Sequence, residues 1–215
     1  MTSESTYTIN GTRVTLFGGI KGLVSEGEAL RRGLIINRPD VILITISEEH
    51  VEGLSEFMKD PFEMILSDYE IIYGVHLSVY GEVMTPPPIY TESVRYAEDN
   101  GIEIIGLDMN EGEFSKLYSK KVGTFALVRH SVRKRRLIKK EFKDRTPDEF
   151  VKSWEERVNN IRALREVDRI RVEKMENSLM EHLEGSRWKN AFVVVDFEFF
   201  DHFNAFLKAM PSGNE

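Results

Sequence analysis

Val41-Ile42-Leu43-Ile44-Thr45-Ile46 is the stretch that most restricts what this chain can fold into. It is apolar at nearly every position, so it does not read as a strand with one wet face. A continuous run of this kind suits a parallel strand covered by helices on both sides. Pro39-Asp40 breaks the chain before it. Ser47-Glu48-Glu49 follows, supplying a cap and the acidic side chains that favour a first helical turn. The same alternation surrounds it. Arg13 to Phe17 is a short β-branched and aromatic run ending at Gly18-Gly19, and a helical pattern then runs to about Asn37, with Ser25 as its cap and Glu28 at capping-box spacing. Ile71 to Val79 reads as a further strand, Thr85-Pro86-Pro87-Pro88 as a rigid connector, and Thr91 to Asn100 as a helix that Gly101 stops. Ile102 to Leu107 is a strand ending at Asp108. Ala191 to Val195 is the last strand, followed by a closing helix from Phe199 to Met210 with Phe200, Phe203 and Phe206 on one face.

From about Glu111 to Glu184 the pattern is helical only. Thr146-Pro147-Asp148-Glu149 is a helix start, with a cap, Pro at the first position and Glu at the third. Phe150, Trp154, Val158, Ile161, Leu164, Val167, Ile170, Val172, Met175, Leu179 and Leu183 then form one apolar stripe. An unbroken helix over 147–184 would be on the order of 55 Å long, which predicts an arm, a helical hairpin or a homodimer contact. The expected fold is therefore α/β, with a mostly parallel or mixed sheet, flanking helices and a long helical insertion before the last strand. Residues 1–110 and 188–215 would form the core and 111–187 the insertion.

Composition narrows the class. With 41% apolar and 30% charged residues over 215 positions, the chain reads as globular. No apolar run approaches the roughly 20 residues a spanning helix needs, and the polar, acidic start is unlike a secretory signal. The absence of Cys removes disulfides and thiolate chemistry, so a cytoplasmic location is expected. A net charge of −7 argues against non-specific nucleic-acid binding by the whole chain.

The order of motifs resembles the TraB family, which includes pheromone-shutdown proteins and Tiki-type metalloproteases. The resemblance rests on Phe17-Gly18-Gly19-Ile20-Lys21, where the family has Gly-Thr-x-His after a strand, and on Pro39-Asp40 before a strand that in the family carries a Glu. Glu92 at a helix start, Gly106-Leu107-Asp108, Glu166-Val167-Asp168-Arg169 followed by Met175, and Val194-Val195-Asp196-Phe197-Glu198-Phe199 extend it. The resemblance implies an α/β fold and metal-assisted hydrolysis. The departures fall on that chemistry: the first His aligns with Lys21, the strand Glu with Thr45 and the late His with Phe199. A charged Lys cannot coordinate a metal and a Phe cannot at all. The expectation is a family-like fold with a degenerate site, acting as a non-catalytic binding or regulatory protein without a cofactor.

Other groups compete with that expectation. Acidic and imidazole side chains gather at predicted strand ends, where open α/β sheets bind ligands. Glu48, Asp108 and Glu198 are candidate catalytic groups for a metal-dependent hydrolase, and His50, Asp108, Asp196 and His202 candidate ligands for a divalent metal such as Zn or Mn. Ordinary helix capping would explain the same carboxylates. Gly18, Gly19 and Lys21 lie where a loop can present N–H groups and a cation to a small anionic ligand, although tight-turn geometry explains glycines equally well. Arg129, Arg133, Arg136, Lys140 and Lys143 are spaced four, three, four, three, beside an apolar stripe of Phe125, Val128, Val132, Ile138 and Phe142. Such a helix can engage a membrane surface or nucleic acid. The favoured alternative is a solvated face paired with the acidic 148–184 segment.

Overall fold

The computed structural model describes residues 3–158, 160–185 and 187–210, so 1–2 and 211–215 of the expected core lie outside the described residues. The chain opens with a hairpin of β1 (Ser3–Ile9) and β2 (Thr12–Gly19), antiparallel to one another. Asn10 and Gly11 join them with φ of 48° and 80°. A two-residue hairpin turn of the favoured hand needs positive φ at both centres, which Asn-Gly adopts readily. β1 adds a strand to those expected from the sequence.

The helix α1 (Val24–Asn37) leads to β3 (Val41–Ile44). Then come α2 (Glu48–Lys59), α3 (Asp68–Leu77), α4 (Pro88–Asn100) and β4 (Glu103–Gly106). The strand expected over 71–79 is therefore a helix. Ser67 and Glu70 form a reciprocal capping box at its start, and Tyr69, Ile72, Tyr73 and Leu77 pack inward at helical spacing. The α1 cap is also different: Leu23 stands at the N-cap without a side-chain hydrogen bond, and Ser25 lies inside the helix.

The segments α5 (Glu111–Lys121), α6 (Thr124–Ile138), α7 (Pro147–Val158) and α8 (Arg162–Leu183) precede β5 (Asn190–Asp196), a short 3-10 turn (Phe197–Phe199) and α9 (Phe200–Ala209). The expected single helix over 147–184 is two helices, because Ile161 is extended (φ −112°, ψ 120°) and caps α8. Its stripe is divided accordingly. Phe150 and Trp154 face one cluster, Leu164 and Val167 a second, and Met175, Leu179 and Leu183 the sheet.

The sheet is five-stranded and mostly parallel, in the order β1-β2-β5-β3-β4, so the last strand enters between β2 and β3. Its two faces explain the apolar run that first constrained the fold. Val41, Leu43, Val193 and Val195 meet α8 and α9, whereas Ile42, Ile44, Phe192 and Val194 meet α1, α2 and α4. A third cluster, built from Ile20, Leu23, Leu77, Leu137, Phe150, Trp154 and Phe197, sits over the strand C-terminal ends and lays α3, α6 and α7 above the sheet. Among the described residues, no helix is long and apolar enough to cross a membrane.

Candidate functional site

The register of two adjacent parallel strands builds the site. β2 and β5 pair Gly19 with Asp196, so the chain leaving β2 sets Lys21 beside the chain leaving β5. Lys21 Nζ lies 3.0 Å from Asp196 Oδ2 and also donates to Glu198 Oε1. Tyr90, on α4, donates its hydroxyl to the other oxygen of Asp196. Thr45, at the end of β3, accepts from the Asp196 N–H at 3.2 Å. Asp196 is 4% exposed, so every strong bond it makes is within the protein.

The electrostatics follow from that geometry. Burial by itself would lower the Lys21 pKa, but Asp196 and Glu198 outweigh it and hold the ammonium well above its usual value. Burial, then the neighbouring Asp196 charge, raises the Tyr90 hydroxyl, which keeps its proton. Glu155 on α7 is pushed up to about 8, first by burial and then by Glu198, so it is mostly protonated at neutral pH. Burial also raises Asp168, against the pull of Arg171, and one oxygen of Asp168 has no hydrogen-bond partner.

Above this cluster opens a cleft of about 270 Å³ between α3, α7 and the 83–87 connector. Lys21, Glu155 and Glu198 form its charged end, and Tyr69, Tyr73 and Trp154 line it. Tyr73 and Trp154 are packed edge to face at 5.3 Å, and Tyr69 meets Trp154 at 6.4 Å. Tyr69 is fixed by its hydroxyl bond to the His130 carbonyl at 2.9 Å. Glu155 and Glu198 also border a second depression of about 500 Å³, which Asp168, Glu176 and His202 help to line.

Several expected sites are rearranged. A Cβ on Gly18 would come within 2.5 Å of the Phe200 ring, and one on Gly19 within 2.9 Å of Ile89. These glycines admit packed side chains and do not cradle an anion. The Ile20 N–H meets a carboxylate of the chain itself, Glu26, at 3.4 Å, and the Lys21 charge is taken by Asp196 and Glu198. The anion site expected at Gly18, Gly19 and Lys21 is therefore corrected to a packed turn that ends in a carboxylate-bound ammonium.

The expected metal ligands do not converge. His50 bonds Ser47 Oγ through Nδ1 at 2.6 Å, within the cap of α2. Asp108 pairs with Arg171 and accepts from the Met109 N–H. His202 is exposed on α9, and Asp196 is occupied as described. Glu48, a candidate catalytic group, accepts the Gly106 N–H at 2.6 Å and clamps the end of β4. Among the described residues, no three His, Asp or Glu side chains come together in a way that could hold a metal ion. Lys21 and Thr45, which align with the resembled family's His and Glu, do meet around Asp196. An ammonium and a hydroxyl there do not fit a metal. Of the candidates, Glu198, Asp196 and Lys21 are joined by hydrogen bonds in one site, and His202 shares only the neighbouring depression with Glu198.

The basic stretch is also different from its expected form. α6 ends at Ile138, so Lys140 and Lys143 lie beyond it, and Arg133 turns inward toward the Val158 carbonyl at 3.5 Å. Among the described residues no ion pair joins these cations to the acidic 148–184 segment: Glu166 pairs with Lys121 and Arg169, and Glu173 with Arg169. Lys134, outside that set of five, pairs with Asp68 of α3.

Sequence reasoning missed Glu155, Tyr69, Tyr73 and Tyr90. Tyr69 and Tyr73 are one helical turn apart, a signal hidden by reading the stretch as a strand. In the sequence Trp154 reads as part of the apolar helical stripe and Glu155 as part of the acidic 148–184 segment. A scan against protein-family models and a search of curated proteins both found no match to this chain.

Proposed function

We propose that this chain is a non-catalytic binding protein on a TraB-like fold, and that its ligand is a small organic cation. One observation carries the reading. The Lys21 ammonium, held by Asp196 and Glu198, lies where the resembled family has an imidazole, directly beneath the aromatic cleft. Two carboxylates against one ammonium leave that end of the cleft net negative, and Glu155 adds a third ionisable carboxyl. Tyr69, Tyr73 and Trp154 line the cleft and give aromatic and apolar area to the body of a cation.

The corrected positions support the same reading. An anion would face Glu198 and Glu155 and would compete with Asp196 for Lys21. A metal would face an ammonium in place of an imidazole. A homodimer through the 147–184 stripe loses its rationale, because Trp154, Leu164, Val167, Met175 and Leu179 are buried within the fold. The absence of Cys keeps the proposal in the cytoplasm.

Thermal unfolding in the presence of paired ligands of matched shape tests it. Benzylamine and tetramethylammonium raise the melting temperature in proportion to their occupancy, whereas benzoate at equal concentration does not. Stabilisation by benzoate alone would overturn the cation assignment.

A further inference from the structure

α6 carries on its outer surface an arrangement that the fold does not use. Its inward face, Ala126, His130, Arg133, Lys134 and Leu137, repeats at helical spacing and packs toward the body. The opposite face is open. Phe125 is 81% exposed, Val128 57% and Val132 47%. Arg129, Arg135 and Arg136 are exposed beside them, and Lys139 and Lys140 follow the helix end. Among the described residues none of these five cations forms an ion pair. Ile71 and Val75 of α3, also exposed, border a groove shared with Ile138 and extend the apolar surface.

We infer that the α6 face docks on an anionic lipid surface, with Phe125, Val128 and Val132 entering the headgroup boundary and the flanking cations meeting lipid phosphates. An amphipathic helix with bulky apolar residues between Arg and Lys binds such an interface from its own side without spanning it. Each cation near an anionic leaflet contributes about fivefold in affinity.

Two other occupants fit less well. A second copy placed symmetrically on this face would bring the same cations against each other, since a two-fold interface juxtaposes like surfaces. Nucleic acid would use the cations but leave Phe125, Val128 and Val132 without a role, and the chain as a whole carries −7. The inference is independent of the cleft, because no residue of the face lines it.

Co-sedimentation of the full chain with vesicles tests it. The wild type pelletes with vesicles of equal parts phosphatidylglycerol and phosphatidylcholine at about 0.1 M salt and not with phosphatidylcholine alone. Arg135→Glu with Arg136→Glu weakens binding by about tenfold or more, and Phe125→Ser with Val128→Ser lowers it to a comparable extent. All four positions are exposed, so the thermal unfolding of both variants matches the wild type and serves as the fold control. No sedimentation with anionic vesicles would overturn the inference. So would equal binding to duplex DNA that the Phe125 and Val128 substitutions leave intact, or a dimer in sedimentation equilibrium that the same substitutions dissociate.

Discussion

Lys21 and Asp196 stand 175 positions apart in the chain and 3.0 Å apart in space, at the ends of two neighbouring parallel strands. Their meeting requires β5 to enter the sheet between β2 and β3, so the site exists only when the whole chain has folded. Removing the ammonium leaves Asp196 and Glu198 facing one another with little water. Lys21→Met is expected to destabilise the protein by about 2 kcal/mol, less than a fully buried pair because a third of the Lys21 side chain remains exposed. Lys21→Met combined with Asp196→Asn costs less than the sum of the two, as urea unfolding of the four-member cycle will show.

Glu155 makes stability depend on pH with a defined sign. Its carboxyl is raised in the folded protein from the ordinary 4.5 to about 8. Below the lower value both states are protonated and nothing is lost. Between the two, the native state keeps a proton that the unfolded chain releases, so the stability contribution falls as pH rises through that window. Glu155→Gln cannot titrate. Its stability relative to wild type is expected to grow from about pH 5 to pH 8, reaching on the order of 4 kcal/mol, as read from urea midpoints at each pH.

The same group links ligand binding to protons. A cation entering the cleft favours the ionised form of Glu155, so binding releases up to one proton near neutral pH and strengthens as pH rises. Calorimetric titration of benzylamine in buffers of different ionisation enthalpy measures the release directly, and Glu155→Gln abolishes it.

Gly18 is expected to behave as a packing position. Gly18→Ala drives a Cβ to 2.5 Å from the Phe200 ring, and overpacking of this kind costs about 1–3 kcal/mol. In a Phe200→Gly background, which removes both the ring and the Phe200 Cβ that would lie 2.9 Å away, the same change costs much less. Thermal unfolding of the two single variants and the double variant decides between a packed turn and an open anion loop, which would tolerate Ala without regard to Phe200.

What was legible in the sequence is what burial writes locally. The apolar run at Val41 marks a strand covered on both faces, and Ser47 with Glu48 and Glu49 marks the start of α2. The β-branched residues Ile71, Ile72 and Val75 imitated a strand and obscured both the Ser67–Glu70 capping box and the Tyr69–Tyr73 helical pair. The Asn10-Gly11 turn carried its signal openly and was passed over because β1, alternating Ser, Glu and Thr with one Tyr, has a wet face and little apolar content. The break before Ile161 is marked in the sequence only by Asn159-Asn160, a residue type favoured at helix ends, and the apolar spacing that runs on across it hides that signal. Lys21, Asp196 and Glu198 were each singled out, but their pairing depends on strand order, which no local pattern encodes. In the sequence Lys21 stands beside glycines, which suggests an anion loop, whereas in space its neighbours are the carboxylates of Asp196 and Glu198.

Trp154 lines the cleft, which makes it a built-in reporter once the other tryptophan is removed by Trp188→Phe. Titrating that variant with benzylamine and, separately, with benzoate while following Trp154 emission tests the central claim most directly. A saturable change with the amine, absent with the carboxylate and lost in Glu198→Gln, is the predicted result. Saturation by benzoate with no response to the amine would contradict a cation site above Lys21, Asp196 and Glu198.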